Sequence, residues 1–201
     1  MERTKVIGIG FHKTGTTTLG TCMEMLGYNH ISYNREAFLL YYDNEIDAMI
    51  KLMSHFDSFE DWPWPFIYKE AYKAFPDAKF VLTTRKDEET WFRSLSKHVQ
   101  RGDGDGFKFR EYIYGYENPD DNKPLHINKY LEHNANVREF FKDKPGSLLE
   151  VCWENGDGWP ELGAFLDLDI DGLEFPHSNQ GSKRNGLSQR VKKATKTLIG
   201  I

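Results

Sequence analysis

The sequence predicts an α/β fold: three layers of the P-loop type, with a mostly parallel central sheet flanked by helices. Two observations predict it. Short apolar runs at Val6–Ile9, Lys79–Thr84 and Leu148–Trp153 alternate with amphipathic stretches, the pattern of strand–helix–strand units. The first run also leads through a glycine-framed loop directly into an amphipathic stretch, where Leu19, Cys22, Met23 and Leu26 recur at helical spacing.

That loop carries chemistry. Gly10 and Gly15 frame Phe11, His12, Lys13 and Thr14, and Thr16, Thr17 and Thr18 follow. A strand, a glycine loop and a helix N-terminus aim backbone N–H groups at an anion. An ordinary phosphate loop reads GxxxxGK[ST], with lysine directly after the second glycine. Here Thr16 stands at that position and the lysine, Lys13, lies inside the loop. The site suits a phosphate-like group other than the end of an ordinary nucleoside triphosphate.

The remaining elements follow in order. His30–Tyr33 reads as a short strand, and 43–56 as a helix with Ile46, Met49, Ile50 and Met53 on one face. Asp61-Trp62-Pro63-Trp64-Pro65 breaks the pattern, because proline ends helices and restricts the residue before it. A helix then runs to Phe75 and turns at Pro76-Asp77. The Lys79–Thr84 strand ends at Arg85, and residues 88–100 are helical. The 101–124 stretch, rich in glycine and aspartate with scattered aromatics, reads as a mobile lid or acceptor wall. Helices are expected over 126–142 and 158–167, with the strand Leu148–Trp153 between them. Leu187, Val191, Ala194 and Leu198 mark a last amphipathic helix. Ligands of such sheets bind beyond the carboxyl ends of the strands, and both the Lys13 loop and Arg85 fall there.

Composition excludes several classes. At 201 residues the chain is expected to form a single domain, 1–201. No apolar stretch approaches the roughly 20 residues that span a bilayer, and no signal peptide precedes the first strand, so a cytoplasmic protein is expected. Cys22 and Cys152 read as reduced core residues. Metal-ligand spacing is absent; Asp103 and Asp105 lack the rest of a calcium loop. A net charge of −5 argues against nucleic-acid binding. The charge is uneven: 175–201 holds six basic residues and no acidic one. That segment either helps hold an anionic ligand or is a solvated helix complementing its own dipole.

Four segments together carry a resemblance: Lys13-Thr-Gly-Thr-Thr17, Phe80–Arg85 with Ser94 nine residues later, Phe175-Pro-His-Ser-Asn179, and Gly181-Ser-Lys-Arg-Asn-Gly186. With Asp61-Trp-Pro63, their order and spacing resemble the sulfotransferases that use 3′-phosphoadenosine 5′-phosphosulfate (PAPS), in particular their small P-loop relatives from bacteria and lower eukaryotes. The resemblance implies that the loop holds the 5′ end of PAPS, through His12, Lys13, Thr14, Gly15, Thr16 and Thr17. It implies that Lys13 neutralises charge as the sulfuryl group leaves. Arg85 and Ser94 match the family's 3′-phosphate pair, one residue further apart than in most relatives, so Arg93 or Ser96 stand as alternates to Ser94. Lys183, Arg184 and Gly186 resemble the basic segment, within 180–201, that closes over that phosphate. The Phe175–Asn179 segment, with His177, is read as structural. The family's activity implies transfer to a hydroxyl or amine of a small-molecule acceptor, with no metal required; oligomeric state is not legible.

Such transfer needs a base for the acceptor's proton. Asp61 is the first candidate and is equally suited to cap the helix entered through the prolines. Glu36 is the second, since other relatives use a glutamate soon after the first helix; His98 and His55 are further candidates. Trp62, Trp64, Trp91 and Trp159 are core by default, with stacking on adenine or lining of the acceptor pocket as the alternative for one of them. Two rival readings remain: a catalytically inactive nucleotide-binding relative, and a P-loop nucleotide kinase, which calls for a lysine where Thr16 stands.

Overall fold

The structure is a computed structural model that describes residues 3–100, 108–170 and 172–176. Five parallel strands form one sheet: β1 (Val6–Gly8), β2 (His30–Ile31), β3 (Ser58–Phe59), β4 (Lys79–Thr83) and β5 (Leu148–Val151). Their order is β2-β3-β1-β4-β5. From β1 the chain moves to one side of the sheet and from β4 to the other. The crevice at the carboxyl ends of β1 and β4 is therefore the topological switch point, where such sheets bind ligands.

Both faces of the sheet are covered, as parallel strands require. Alternation along each strand assigns the sides. Ile7, Ile9, Phe59, Phe80 and Leu82 join one buried cluster, while Val6, Val81 and Val151 join another. The first cluster packs under α3 (Ile46–Met53), α4 (Tyr68–Ala74) and α7 (Lys123–Phe141); the second packs under α1 (Thr16–Met25) and α8 (Trp159–Leu166). The expected three-layer α/β fold is the one observed. A third cluster, mostly aromatic, gathers Phe11, Phe38, Trp62, Trp91, Phe109, Tyr114 and Tyr130. It draws on α2 (Arg35–Tyr42), α5 (Glu88–Val99), α6 (Phe109–Tyr114) and α7.

Several expectations shift. The single helix expected over 43–56 begins only at Ile46, because Asn44 takes a left-handed φ of 60° and separates it from α2. Of the stretch expected as a lid or wall over 101–124, residues 109–114 form α6 with Phe109 and Tyr114 buried, a 3-10 turn spans Pro119–Asn122, and α7 starts at Lys123. Trp62, Trp64, Trp91 and Trp159 are all buried, and Cys22 and Cys152 are buried free thiols. Among the described residues no helix is long and apolar enough to cross a membrane. Lys183, Arg184, Gly186, His177 and the expected last helix lie outside the described residues.

Candidate active site

The loop after β1 is pinned to the end of β4. A Cβ on Gly10 would sit 2.8 Å from the backbone nitrogen of Thr83 and closer still to its carbonyl and hydroxyl oxygens. Only glycine allows that approach. The Thr14 hydroxyl donates to the Phe11 carbonyl at 2.5 Å and lies 2.6 Å from the Thr83 hydroxyl. Because the Thr14 proton is committed to Phe11, Thr83 supplies the proton of the second bond. Lys13 adopts a left-handed φ of 67°, and Gly15, at φ 93°, caps α1 without any side chain.

This conformation leaves donors open. Thr18 and Leu19 donate to the Gly15 carbonyl, but the backbone N–H groups of Thr14, Gly15, Thr16 and Thr17 donate to no other backbone group among the described residues. The hydroxyls of Thr16 and Thr17 bond to no other described residue. Four N–H groups at the positive end of a ten-residue helix, beside a lysine, form an anion cradle.

Asp61 follows β3, the neighbour of β1 on the side away from β4. It too is left-handed, at φ 66°, and its Oδ1 accepts from the N–H of Trp62 at 2.8 Å. Non-glycine residues in this region concentrate at functional sites. Burial raises the Asp61 carboxyl, and the neighbouring Glu60 adds to the rise; the Trp62 N–H and the Lys13 charge oppose it, and the result is about 7. Lys13 therefore acts electrostatically on Asp61.

The ring of His12 is 7% exposed. It stacks on Trp62 at 4.1 Å, and its Nε2 pairs with the Tyr114 hydroxyl at 2.9 Å. Its carbonyl accepts from the Trp91 indole at 2.9 Å. Burial, then the charge of Lys13, holds its imidazole well below the ordinary range. His12 is thus a neutral wedge that anchors the loop to the aromatic cluster. Glu36, in the first turn of α2, is exposed.

Arg85 stands beyond β4, as expected. Its backbone N–H donates to the Tyr130 hydroxyl at 3.1 Å, and its guanidinium pairs with Glu154 at 3.0 Å. Its Nε is buried without a partner. On α5, Ser96 donates to Asp120 at 2.8 Å and Arg93 bonds to Thr90 at 3.2 Å. The half-buried Ser94 hydroxyl has no hydrogen-bond partner among the described residues. Of the two serines, Ser94 is the one whose hydroxyl is uncommitted; Arg93 also keeps guanidinium N–H groups beyond the one bonded to Thr90.

A family model described as a sulfotransferase domain matches residues 5–114 and 106–184, nearly the whole chain. The chain belongs to the sulfotransferase domain family. It is also 26% identical over 213 residues to the Ava biosynthesis cluster protein M of Aspergillus versicolor, covering 86% of this chain and 80% of that protein.

Two side chains of this sulfotransferase-family site carry no sequence signal. Trp153 donates its indole N–H to the Gly15 carbonyl at 3.1 Å, and its ring lies where a Cβ on Gly15 would fall. Glu154 holds Arg85. Both lie on the 3-10 turn after β5, so that turn touches the Lys13 loop and the arginine at once. Glu60, 2% exposed, was also missed; it accepts from Ser32 and faces His30 Nε2 at 3.8 Å. Only adjacency to Asp61 marks it in the sequence.

Proposed function

We propose that this chain transfers the sulfuryl group of PAPS to a hydroxyl or amine of a small acceptor by in-line displacement. The carrying observation is the run of open N–H groups from Thr14 to Thr17 with Lys13 on the same loop and Asp61 near enough to feel the Lys13 charge. PAPS supplies an activated sulfuryl group whose leaving group is a phosphate.

In this reading the N–H groups of Thr14 to Thr17 and the hydroxyls of Thr16 and Thr17 hold the 5′ phosphosulfate. Lys13 sits at the bridging oxygen and neutralises the charge that develops there as the sulfur–oxygen bond breaks. Asp61 accepts the proton that the acceptor loses as its new bond to sulfur forms. A base working near neutral pH needs a proton affinity in that range, and Asp61 has it, whereas Glu36 is solvent-exposed. His12 contributes through the loop it anchors. Arg85, with its planar fork, and Ser94, with an open hydroxyl on α5, hold the 3′-phosphate, with Lys183, Arg184 and Gly186 closing over it, all on the strength of the resemblance.

The matched relative's name places that protein in a biosynthesis cluster, which suits a small-molecule acceptor for this chain. Two buried free thiols suit a cytoplasmic setting. The deciding experiment incubates the protein with sulfur-labelled PAPS and a panel of alcohols, phenols, amines and sugars. Labelled product together with 3′-phosphoadenosine 5′-phosphate (PAP) is expected. PAP binding without turnover on any acceptor would support the inactive-relative reading instead.

A further inference from the structure

We infer that the Glu154 carboxylate is the resident anion of the Arg85 subsite, displaced from the guanidinium when the 3′-phosphate of the nucleotide arrives. The inference rests on the reading of Arg85 as the 3′-phosphate ligand and adds a specificity-determining residue to it.

Glu154 Oε1 lies 3.0 Å from Arg85 Nη2. Both side chains are partly exposed, at 31% and 22%, so the pair is within reach of a ligand and its own stabilisation is small. Glu154 uses only part of what Arg85 offers, since Nε remains buried and unpaired. A phosphate dianion matches the planar fork better than one carboxylate oxygen does.

There is room for the exchange. Arg85 and Lys86 line a recess of about 390 Å³ with Thr84, Tyr130, Asn134 and Asn155. Three of the four acidic residues on its rim are already engaged; the fourth, Glu88, has no side-chain partner among the described residues. Glu150 is held by Arg138 through bonds of 2.8 and 2.6 Å, Asp157 accepts from the Cys152 N–H at 2.7 Å, and Asp87 caps α5 through the Thr90 N–H. Glu154 has somewhere to stay as well, because its other oxygen accepts from the Lys86 N–H at 3.3 Å. The carboxylate releases Arg85 and keeps its hold on the backbone.

The consequence is discrimination. A nucleotide with a 3′-phosphate replaces Glu154 on Arg85; one without it leaves the ion pair intact. Glu154 therefore lowers affinity for the first kind and is silent toward the second.

Calorimetric titration of PAP and of adenosine 5′-monophosphate, at one low ionic strength, tests this in four proteins: wild type, Glu154→Gln, Arg85→Ala and the double variant. Glu154→Gln is expected to tighten PAP by about three- to tenfold and to leave the monophosphate within twofold. In the Arg85→Ala background the same change should do nothing. Weaker PAP binding by Glu154→Gln, or an equal shift for both nucleotides, overturns the inference and makes Glu154 a buttress of Arg85. If Arg85→Ala weakens both nucleotides equally, the 3′-phosphate reading itself fails and takes the inference with it. Should Glu154→Gln not fold, Glu154→Asp decides the matter: a retracted carboxylate should tighten PAP in the same direction, and weakened PAP binding overturns the inference.

Discussion

The indole N–H of Trp153 donates to the carbonyl of Gly15, 3.1 Å away, although 138 positions separate them. The turn after β5 thereby props the Lys13 loop at the residue that caps α1. Gly15 cannot gain a side chain for two reasons: its φ is 93°, and its Cβ would enter the Trp153 ring. Gly15→Ala should cost at least about 1–2 kcal/mol from the backbone alone. Denaturant unfolding measures this, and an unchanged midpoint would remove the argument.

Lys13→Ala removes the charge that the proposed reaction places at the leaving oxygen. Losing one such group typically costs about a hundredfold to a thousandfold in kcat. Initial rates with saturating PAPS should fall by that much or more. PAP binding should weaken far less, because the N–H groups of Thr14 to Thr17 remain. Parallel losses in kcat and affinity would place Lys13 in binding alone.

As the proposed base, Asp61 gives the proposed reaction a pH signature. Its carboxyl titrates at about 7, and only the ionised form accepts a proton. The kcat/KM of the wild type should therefore rise with pH through about 7 and level off above it. Asp61→Asn should lose roughly 10²–10⁴-fold in rate, lose that limb, and keep its nucleotide affinity.

Stability runs the other way at the same residue. The folded chain holds the Asp61 proton more tightly than the unfolded chain does. Between the ordinary carboxylate range and about 7 the folded state binds more protons, so this residue's contribution to stability falls as pH rises through that window. The melting temperature of Asp61→Asn, relative to wild type, should thus be higher at pH 8 than at pH 5.

Thr14 tests whether its hydroxyl is structural. Thr14→Val strips a donor from the Phe11 carbonyl and an acceptor from Thr83, both buried. About 1–3 kcal/mol of stability should be lost, read by denaturant unfolding. Thr14→Ser keeps both bonds and should keep PAP affinity. A Ser variant that folds normally but binds PAP poorly would mean that the Thr14 side chain meets the ligand.

The loop, β1, β4, β5 and the long helices were legible because each carries a pattern: glycines around a lysine, apolar runs, helical spacing. What was not legible has equally physical causes. Helix α2 is apolar on almost every side across Ala-Phe-Leu-Leu-Tyr-Tyr, so no period emerges. Its one clear signal is Asn34, whose Oδ1 accepts from the Ala37 N–H at 2.8 Å. Strand β3 is two residues long, too short to show alternation. In the site, Lys13 and Asp61 were readable from type and order, while Trp153 and Glu154 were not. Their roles arise only when β5 is laid beside β4, a pairing no local stretch encodes. His30, Ser58 and Glu60 carry an opposite lesson. His30 Nδ1 meets the Ser58 hydroxyl at 2.8 Å and its Nε2 faces Glu60, the residue order of a hydrolytic triad. Ser58 is wholly buried, so no substrate reaches it.

The stitching of Thr14 to Thr83 has a further result. Together with Gly10 against β4 and Trp153 under Gly15, it makes the loop part of the folded framework. The entropy of ordering those residues is incurred once, when the chain folds, and does not recur with each nucleotide. The cradle is preorganised: N–H groups wait at fixed positions, and an arriving ligand adapts to them. Any adjustment on binding falls to groups outside that frame, such as the carboxylate beside Arg85.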